Sequence, residues 1–205
     1  MASDGRRRPL FPAVYDTIMR PLEAWGVRDQ RRRIGEAARG RVLEIGAGTG
    51  AMLPHYTSAV TEVVATEVDP HMLEQATGKL EQARVPVGLR EVDAESLPFE
   101  DATFDTLVVA LSLCTIPRAA TALREGRRVL RDDGQLLFVE HVRSLRPAVA
   151  GLQDLVTPVW KRVAGGCHPN RDTLAVIERC GFRIEEVWRS GKRRGSVVQG
   201  RATVC

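Results

Sequence analysis

An α/β architecture, a mostly parallel sheet with helices on both faces, is predicted by three features of this sequence. Segments of strand character alternate with segments of helical periodicity along most of its 205 residues, as in sheets built from crossover units. The apolar run Leu107-Val108-Val109-Ala110-Leu111 reads as a central strand buried on both sides. The first clear strand runs into three alternating glycines, Gly46, Gly48 and Gly50, which is how such sheets open a ligand site at a strand's carboxyl end.

Each element has its own justification. Residues 10–26 and 28–39 read as helices packed over the pocket. Residues 41–45 form the first strand, and a helix is expected from about Ala51, its unpaired N–H groups lying under the glycine turn. Residues 62–67 form the second strand; Asp69-Pro70 then supplies an N-cap and a first-turn proline for a helix reaching Ala83. The third strand spans 87–92 and the fourth 104–111. Pro117 opens a helix with Ala119, Leu123, Val129 and Leu130 at helical spacing, and Asp132-Asp133-Gly134 turns the chain into a fifth strand at 135–140. Helices near 151–163 and 171–180 precede strands near 183–189 and 196–204, joined by a hairpin loop at 190–195 that holds two glycines.

Length and composition bound the function. A chain of 205 residues suits one domain that buries about 70% of its unfolded surface. Basic residues outnumber acidic ones by 30 to 26, and the arginine clusters at 6–8, 31–33 and 189–194 read as solvated faces ahead of a patch for a phosphate-bearing surface. Cys114, Cys167, Cys180 and Cys205 form no C-x-x-C pair, so neither a metal centre nor a redox motif is signalled and a reduced, cytoplasmic protein is expected. Pro12, Asp16 and Arg20 interrupt the apolar character behind the first arginines, which reads as no signal peptide. No run approaches the roughly 18 apolar residues of a membrane span; peripheral membrane contact stays open.

The glycine pattern alone admits two ligands. Gly46, Gly48 and Ala51 also satisfy the loose dinucleotide fingerprint, so an NAD-dependent oxidoreductase is one reading and a non-catalytic cofactor-binding module another. Glu44, two positions before the first glycine, decides between the ligands. It would repel a pyrophosphate and attract a ligand with a free ammonium group, such as the methionine end of S-adenosylmethionine. Glu67, 21 residues after Gly46 and at the end of the second strand, is placed to accept both ribose hydroxyls. Asp69 is the competing acid, with Pro70 behind it making a helix cap its better role.

The segment VLEIGAGTG (42–50) resembles the first motif of class I S-adenosylmethionine-dependent methyltransferases, in the broad ubiquinone/menaquinone-methyltransferase-like group. ATEVDPHML (65–73), EVDAESLPFEDATFDTLV (91–108) and LREGRRVLRDDGQLLFVEH (123–141) resemble that group's second-strand motif, adenine loop with fourth strand, and fifth-strand region. SLCTIP and PVWKRVAGGCHPNRDT are similar to the alkyl-thiol methyltransferase subset. The resemblance implies a Rossmann-like sandwich of seven strands, the last inserted antiparallel between the fifth and sixth. It implies a helical cap at 1–39, a cofactor-binding core at 40–141, and acceptor-side helices with a C-terminal hairpin at 142–205.

For the site, the resemblance implies that S-adenosylmethionine lies on Gly46, Ala47, Gly48 and Gly50 with Glu44 below, and on Glu67 and Val68 at the second strand. Asp93, Ala94 and Glu95 form the loop that reads the adenine edge, with Asp93 the preferred carboxylate and Ala94 offering its backbone. Met72 and Leu111 pack against the adenosine or serve as ordinary core, and Tyr15 lies over the cofactor carboxylate or in the core. His141, directly after the fifth strand, and His168 are candidates to face the acceptor, since histidine titrates in the useful range. Cys114 ends the fourth strand, near the transferred methyl, as a possible catalytic group or a small buried residue. The expected acceptor is a small, apolar molecule, with a thiol ahead of a phospholipid headgroup amine or a quinone-like phenol. No metal is expected, and the chain is expected as monomer or homodimer. Ten aromatics and no N-P-P-Y-type tetrad after the fourth strand argue against a nucleic-acid substrate.

Overall fold

The computed structural model describes residues 26–189 and 197–205. Tyr15, all but the last residue of the expected first helix, and the loop at 190–195 lie outside the described residues. Seven strands make one sheet: β1 (Gly40–Ile45), β2 (Val60–Glu67), β3 (Val87–Glu91), β4 (Phe104–Ala110), β5 (Leu130–His141), β6 (Phe182–Arg189) and β7 (Val197–Val204), in the order β3-β2-β1-β4-β5-β7-β6. Strands β1 to β5 pair in parallel. Strand β7 runs antiparallel to both β5 and β6, as expected of a strand reached through a short connection, which has no room for a parallel crossover. Around the sheet lie α1 (Arg28–Ala37), α2 (Pro70–Thr77), α3 (Ala119–Val129), α4 (Pro147–Val163) and α5 (Thr173–Arg179).

The period of two along the central strands divides the core. Leu43 and Ile45 of β1, Leu107 and Val109 of β4, and Leu136 and Phe138 of β5 face one side, packing with Leu123 of α3 and Ile177 of α5. Val42, Val108, Leu137 and Val139 face the other, packing with Ile34 of α1 and with Met52 and Tyr56. All of these side chains are buried, each worth ~1.5–3 kcal/mol relative to exposure for the larger aliphatic and aromatic ones. The chain builds outward from β1 to β3, then restarts at β4 on the opposite side of β1. That reversal opens a crevice above the carboxyl ends of β1 and β4.

Three helical elements differ from expectation. No α-helix follows the glycine turn; residues 48–52 are turns, and Leu53–His55 is one 3₁₀ turn. The reason is Pro54. In a helix begun at Ala51 it would lie inside the fourth position, without an N–H and with its ring against the carbonyl of Gly50. The helix after Asp69 stops at Thr77, with Gly78 behind it and a separate 3₁₀ turn at Leu80–Gln82. Helix α4 starts earlier than expected, because Pro147 sets its first turn.

Candidate functional site

A cavity of about 650 Å³ occupies the crevice, within the usual range for small-molecule sites. Its floor is the glycine turn. Gly46, Gly48 and Gly50 have φ of +69°, +56° and +77°, a region L side chains seldom adopt. A Cβ on Gly46 would lie 2.5 Å from Cβ of Ser112, whereas one on Gly48 would meet nothing within 4 Å. The turn is thus closed toward the protein at Gly46 and open at Gly48. Gly46, Ala47, Gly48 and Thr49 line the cavity; Gly50 sits behind them.

Glu67, at the end of β2, lines the wall beside the turn. Its Oε2 accepts the N–H of Gly48 at 3.0 Å, and its Oε1 accepts those of Val68 at 2.8 Å and Asp69 at 3.1 Å. Burial raises its carboxyl above the ordinary range, and the three backbone bonds oppose the shift. Asp69 accepts the N–H of His71 at 2.9 Å and so caps α2. Val68, Met72, Asp93 and Ala94 also line the cavity. Asp93 accepts the N–H of Glu95 at 3.0 Å. Glu95 points elsewhere: its carboxylate takes the backbone N–H and the Nε of Arg118, at 2.9 and 2.7 Å. Leu111 lines the far wall with φ of +60°.

Two further carboxylates lie buried beneath the site. Glu44 is not part of the cavity wall; it accepts the hydroxyl of Tyr56 at 2.8 Å. Burial pushes its pKa up to about 7, against the pull of that hydroxyl and of the Arg31 charge. Glu140, at the penultimate position of β5, has no exposed surface. It accepts the N–H groups of Ser112 and Leu113 at 2.8 Å each and of Cys114 at 3.2 Å. It therefore clamps the loop after β4.

Glu44 makes stability depend on pH. Its native pKa of about 7 lies above the ordinary 4.5, so the native state holds a proton that the unfolded chain has released. Stability conferred by that proton is complete below the unfolded value and is lost as pH rises to about 7. Between pH 5 and 8 the wild-type chain should lose on the order of 1–3 kcal/mol more than Glu44→Gln, read from denaturant midpoints. Parallel pH profiles for the two proteins would refute the assignment.

At the other end, Cys114, His141 and Cys167 meet at the cavity wall. His141 Nδ1 lies 3.6 Å from the sulfur of each cysteine. The Cys114 thiol, together with the imidazole and Trp160, lowers the pKa of Cys167; the same hydrogen bond, with burial, raises that of Cys114. For His141, burial favours the neutral ring, but the Cys167 sulfur and the Glu140 charge prevail and its pKa is raised. The loop carrying Cys167 is tied to the β4 loop: the N–H of His168 donates to the carbonyl of Cys114 at 2.8 Å, and Arg171 donates to the carbonyls of Leu113 and Ile116. The His168 ring does not line the cavity, and its Nδ1 is buried without a partner.

The structure thus gathers Gly46, Ala47, Gly48, Glu67, Val68, Met72, Asp93, Ala94, Leu111, Cys114 and His141 around one cavity, and leaves Glu44, Gly50, Glu95 and His168 behind its wall. Sequence reasoning missed Arg31, Glu140 and Cys167. The signal for Glu140 was an acid closing an otherwise apolar strand; that for Cys167 was its place between a glycine pair and His168.

Comparison with known proteins gives the site a context. A methyltransferase-domain model matches residues 43–138. The chain is 35% identical over 140 residues to a phosphatidylethanolamine N-methyltransferase of Cereibacter sphaeroides, covering 62% of this chain and 68% of that one. It is 33% identical to the ubiquinone/menaquinone biosynthesis C-methyltransferase UbiE of Syntrophotalea carbinolica, covering 71% and 65%. It is 32% identical to the thiol S-methyltransferase TMT1B of Rattus norvegicus, covering 69% and 59%. The matched regions thus span about 59–68% of these relatives' lengths. Among solved structures, an S-adenosylmethionine-dependent methyltransferase of Thermotoga maritima superposes with a TM-score of 0.71 at 20% identity, covering 95% and 98% of the two chains. The methyltransferase CalH, in complex with S-adenosylhomocysteine, superposes at 0.69 and 20% identity, covering 98% and 63%.

Proposed function

The chain belongs to the family of class I S-adenosylmethionine-dependent methyltransferases, and from that premise we propose that it methylates a small apolar acceptor, a thiol in the first instance. Methyl transfer from a sulfonium is an in-line displacement on an activated electrophile. The protein's work is to align the nucleophile with the methyl and to exclude water.

In this reading the glycine turn cradles the methionine part of the cofactor and Glu44 favours its ammonium from below. Glu67 accepts a ribose hydroxyl with the lone pair on Oε2 that its three backbone donors leave over. Asp93 and the backbone of Ala94 read the adenine, between Met72 and Leu111. The acceptor enters past Trp160 and Val163, which are partly exposed and also line the cavity, and its nucleophilic atom meets the methyl beside Cys114 and His141. One observation supports a thiol above the rest: sulfur and imidazole converge at that end of the cavity. Glu95 and His168 take supporting places, one holding Arg118 and the other pinning the loop to the Cys114 carbonyl.

Calorimetric titration with S-adenosylhomocysteine, with NAD and NADP as comparators, tests the cofactor half. Glu67→Ala should weaken that binding by ~1–3 kcal/mol, the scale for losing a charged hydrogen bond; unaltered affinity would remove Glu67 from the ribose site. A panel of thiols, amines and phenols with the labelled methyl donor tests the acceptor half. Methylation confined to amines or phenols would overturn the thiol.

A further inference from the structure

The convergence of Cys114, His141 and Cys167 has the dimensions of a metal site. Their donor atoms all lie within 4.8 Å of one another, and Nδ1 stands 3.6 Å from both sulfurs. Tetrahedral zinc, with bonds of about 2.3 Å to sulfur and 2.0–2.1 Å to nitrogen, sets nitrogen and sulfur roughly 3.6 Å apart. The three residues come from separate segments: the loop after β4, the end of β5 and the loop after α4.

Their positions are held independently of any ion. Glu140 takes the backbone N–H of Cys114. The carbonyl of His141 accepts the hydroxyl of Thr173 at 2.9 Å. Gly165 and Gly166, at φ of +62° and +92°, fold the chain so that the N–H of Cys167 reaches the carbonyl of Ala164 at 3.0 Å. Cys114 and Cys167 are almost fully buried, yet all three residues reach the cavity wall. Three protein ligands with one side open to a cavity is the pattern of catalytic zinc, and two sulfurs with an imidazole select a soft cation over magnesium or calcium.

We propose that Cys114 Sγ, His141 Nδ1 and Cys167 Sγ bind a zinc-class divalent cation whose fourth position takes the acceptor thiol as its thiolate. The second half rests on the thiol reading given above; the first does not. Coordination removes the thiol proton to solvent, since a metal-bound thiol is deprotonated outright. A lone pair of the bound sulfur attacks the methyl carbon. The bond from that carbon to the sulfonium breaks, its electron pair returning to the cofactor sulfur and leaving neutral S-adenosylhomocysteine. The product thioether carries no charge, is the weaker ligand, and leaves.

The test begins with chain reduced by a phosphine, stripped by chelator and titrated with Co²⁺ without oxygen. Thiolate-to-cobalt charge-transfer absorption should rise to one equivalent per chain and vanish on adding Zn²⁺. Cys114→Ser and Cys167→Ser should each weaken Co²⁺ by more than the ~10–100-fold typical of residues that only support a ligand, whereas Cys205→Ser, at the exposed chain end, should not. Retained affinity for S-adenosylhomocysteine identifies the variants that remain folded. Absence of the band in wild-type chain, or its persistence in the Cys114→Ser/Cys167→Ser variant, overturns the site. With Co²⁺ bound, 2-mercaptoethanol should shift the spectrum, and stripped protein should methylate it at least about tenfold more slowly. A band without that shift, or equal rates with and without metal, overturns the activation step. A metal site with no thiol methylated at all overturns the thiol reading and leaves the site standing.

Discussion

Glu140→Ala should cost ~2–4 kcal/mol of stability and most of the methyl-transfer activity, although Glu140 does not line the cavity. The carboxylate is the acceptor for three consecutive buried backbone donors, at Ser112, Leu113 and Cys114. Each donor left without a partner costs ~1–3 kcal/mol. Against this stands relief of burying the acid, whose pKa burial has driven up to about 7; the net loss is therefore smaller than the three penalties summed. The loop it clamps carries Leu111, held at φ of +60°, and delivers Cys114 to the cavity. Once slack, that loop should relax Leu111 to an ordinary backbone and withdraw the sulfur. Denaturant unfolding and turnover on the identified acceptor check the two halves. A stability loss below about 1 kcal/mol would show that water replaces the carboxylate without difficulty.

Contrast among the carboxylates shows what a sequence carries and what it does not. The place of Glu67 on the cavity wall was legible because it is set locally, by a strand end 21 residues beyond Gly46. The glycines were legible because positive φ at Gly46, Gly48 and Gly50 is a property of the backbone itself. Glu140 acts on partners 26 to 28 residues away, which only the pairing of β4 with β5 brings near. Glu95 was misdirected by a detail of one turn: Asp93 accepts the Glu95 N–H, and the next carboxylate swings out to Arg118. The missing helix after Gly50 is a different failure, since Pro54 is plain in the sequence and the strand–turn–helix pattern outweighed it. At the acceptor end, His168 drew attention by its chemistry, but the glycine pair turns Cys167 toward His141 instead. No local pattern fixes which of two adjacent residues faces inward when the turn before them is built on positive φ.

Gly48→Val should abolish binding of S-adenosylhomocysteine at concentrations that saturate the wild-type chain, a loss of at least a hundredfold or about 3 kcal/mol, while leaving the fold intact. A Cβ at Gly48 meets no protein atom within 4 Å, so the branched side chain enters the cavity rather than the core. The φ of +56° adds a strain of ~1–2 kcal/mol for a residue with a Cβ, enough to lower the unfolding midpoint but not to unfold the chain. It also pulls on the Gly48 N–H that Glu67 accepts, so the ribose side of the pocket loosens along with its floor. Gly46→Ala is the informative partner. There the added carbon lies 2.5 Å from Cβ of Ser112, and the strain falls on the loop that Glu140 clamps. Gly46→Ala should therefore lose more stability per added atom, and Gly48→Val more affinity. Wild-type affinity in a folded Gly48→Val chain would mean that the cofactor does not lie against this turn, and the placement of adenosine beside Glu67 and Asp93 would fall with it.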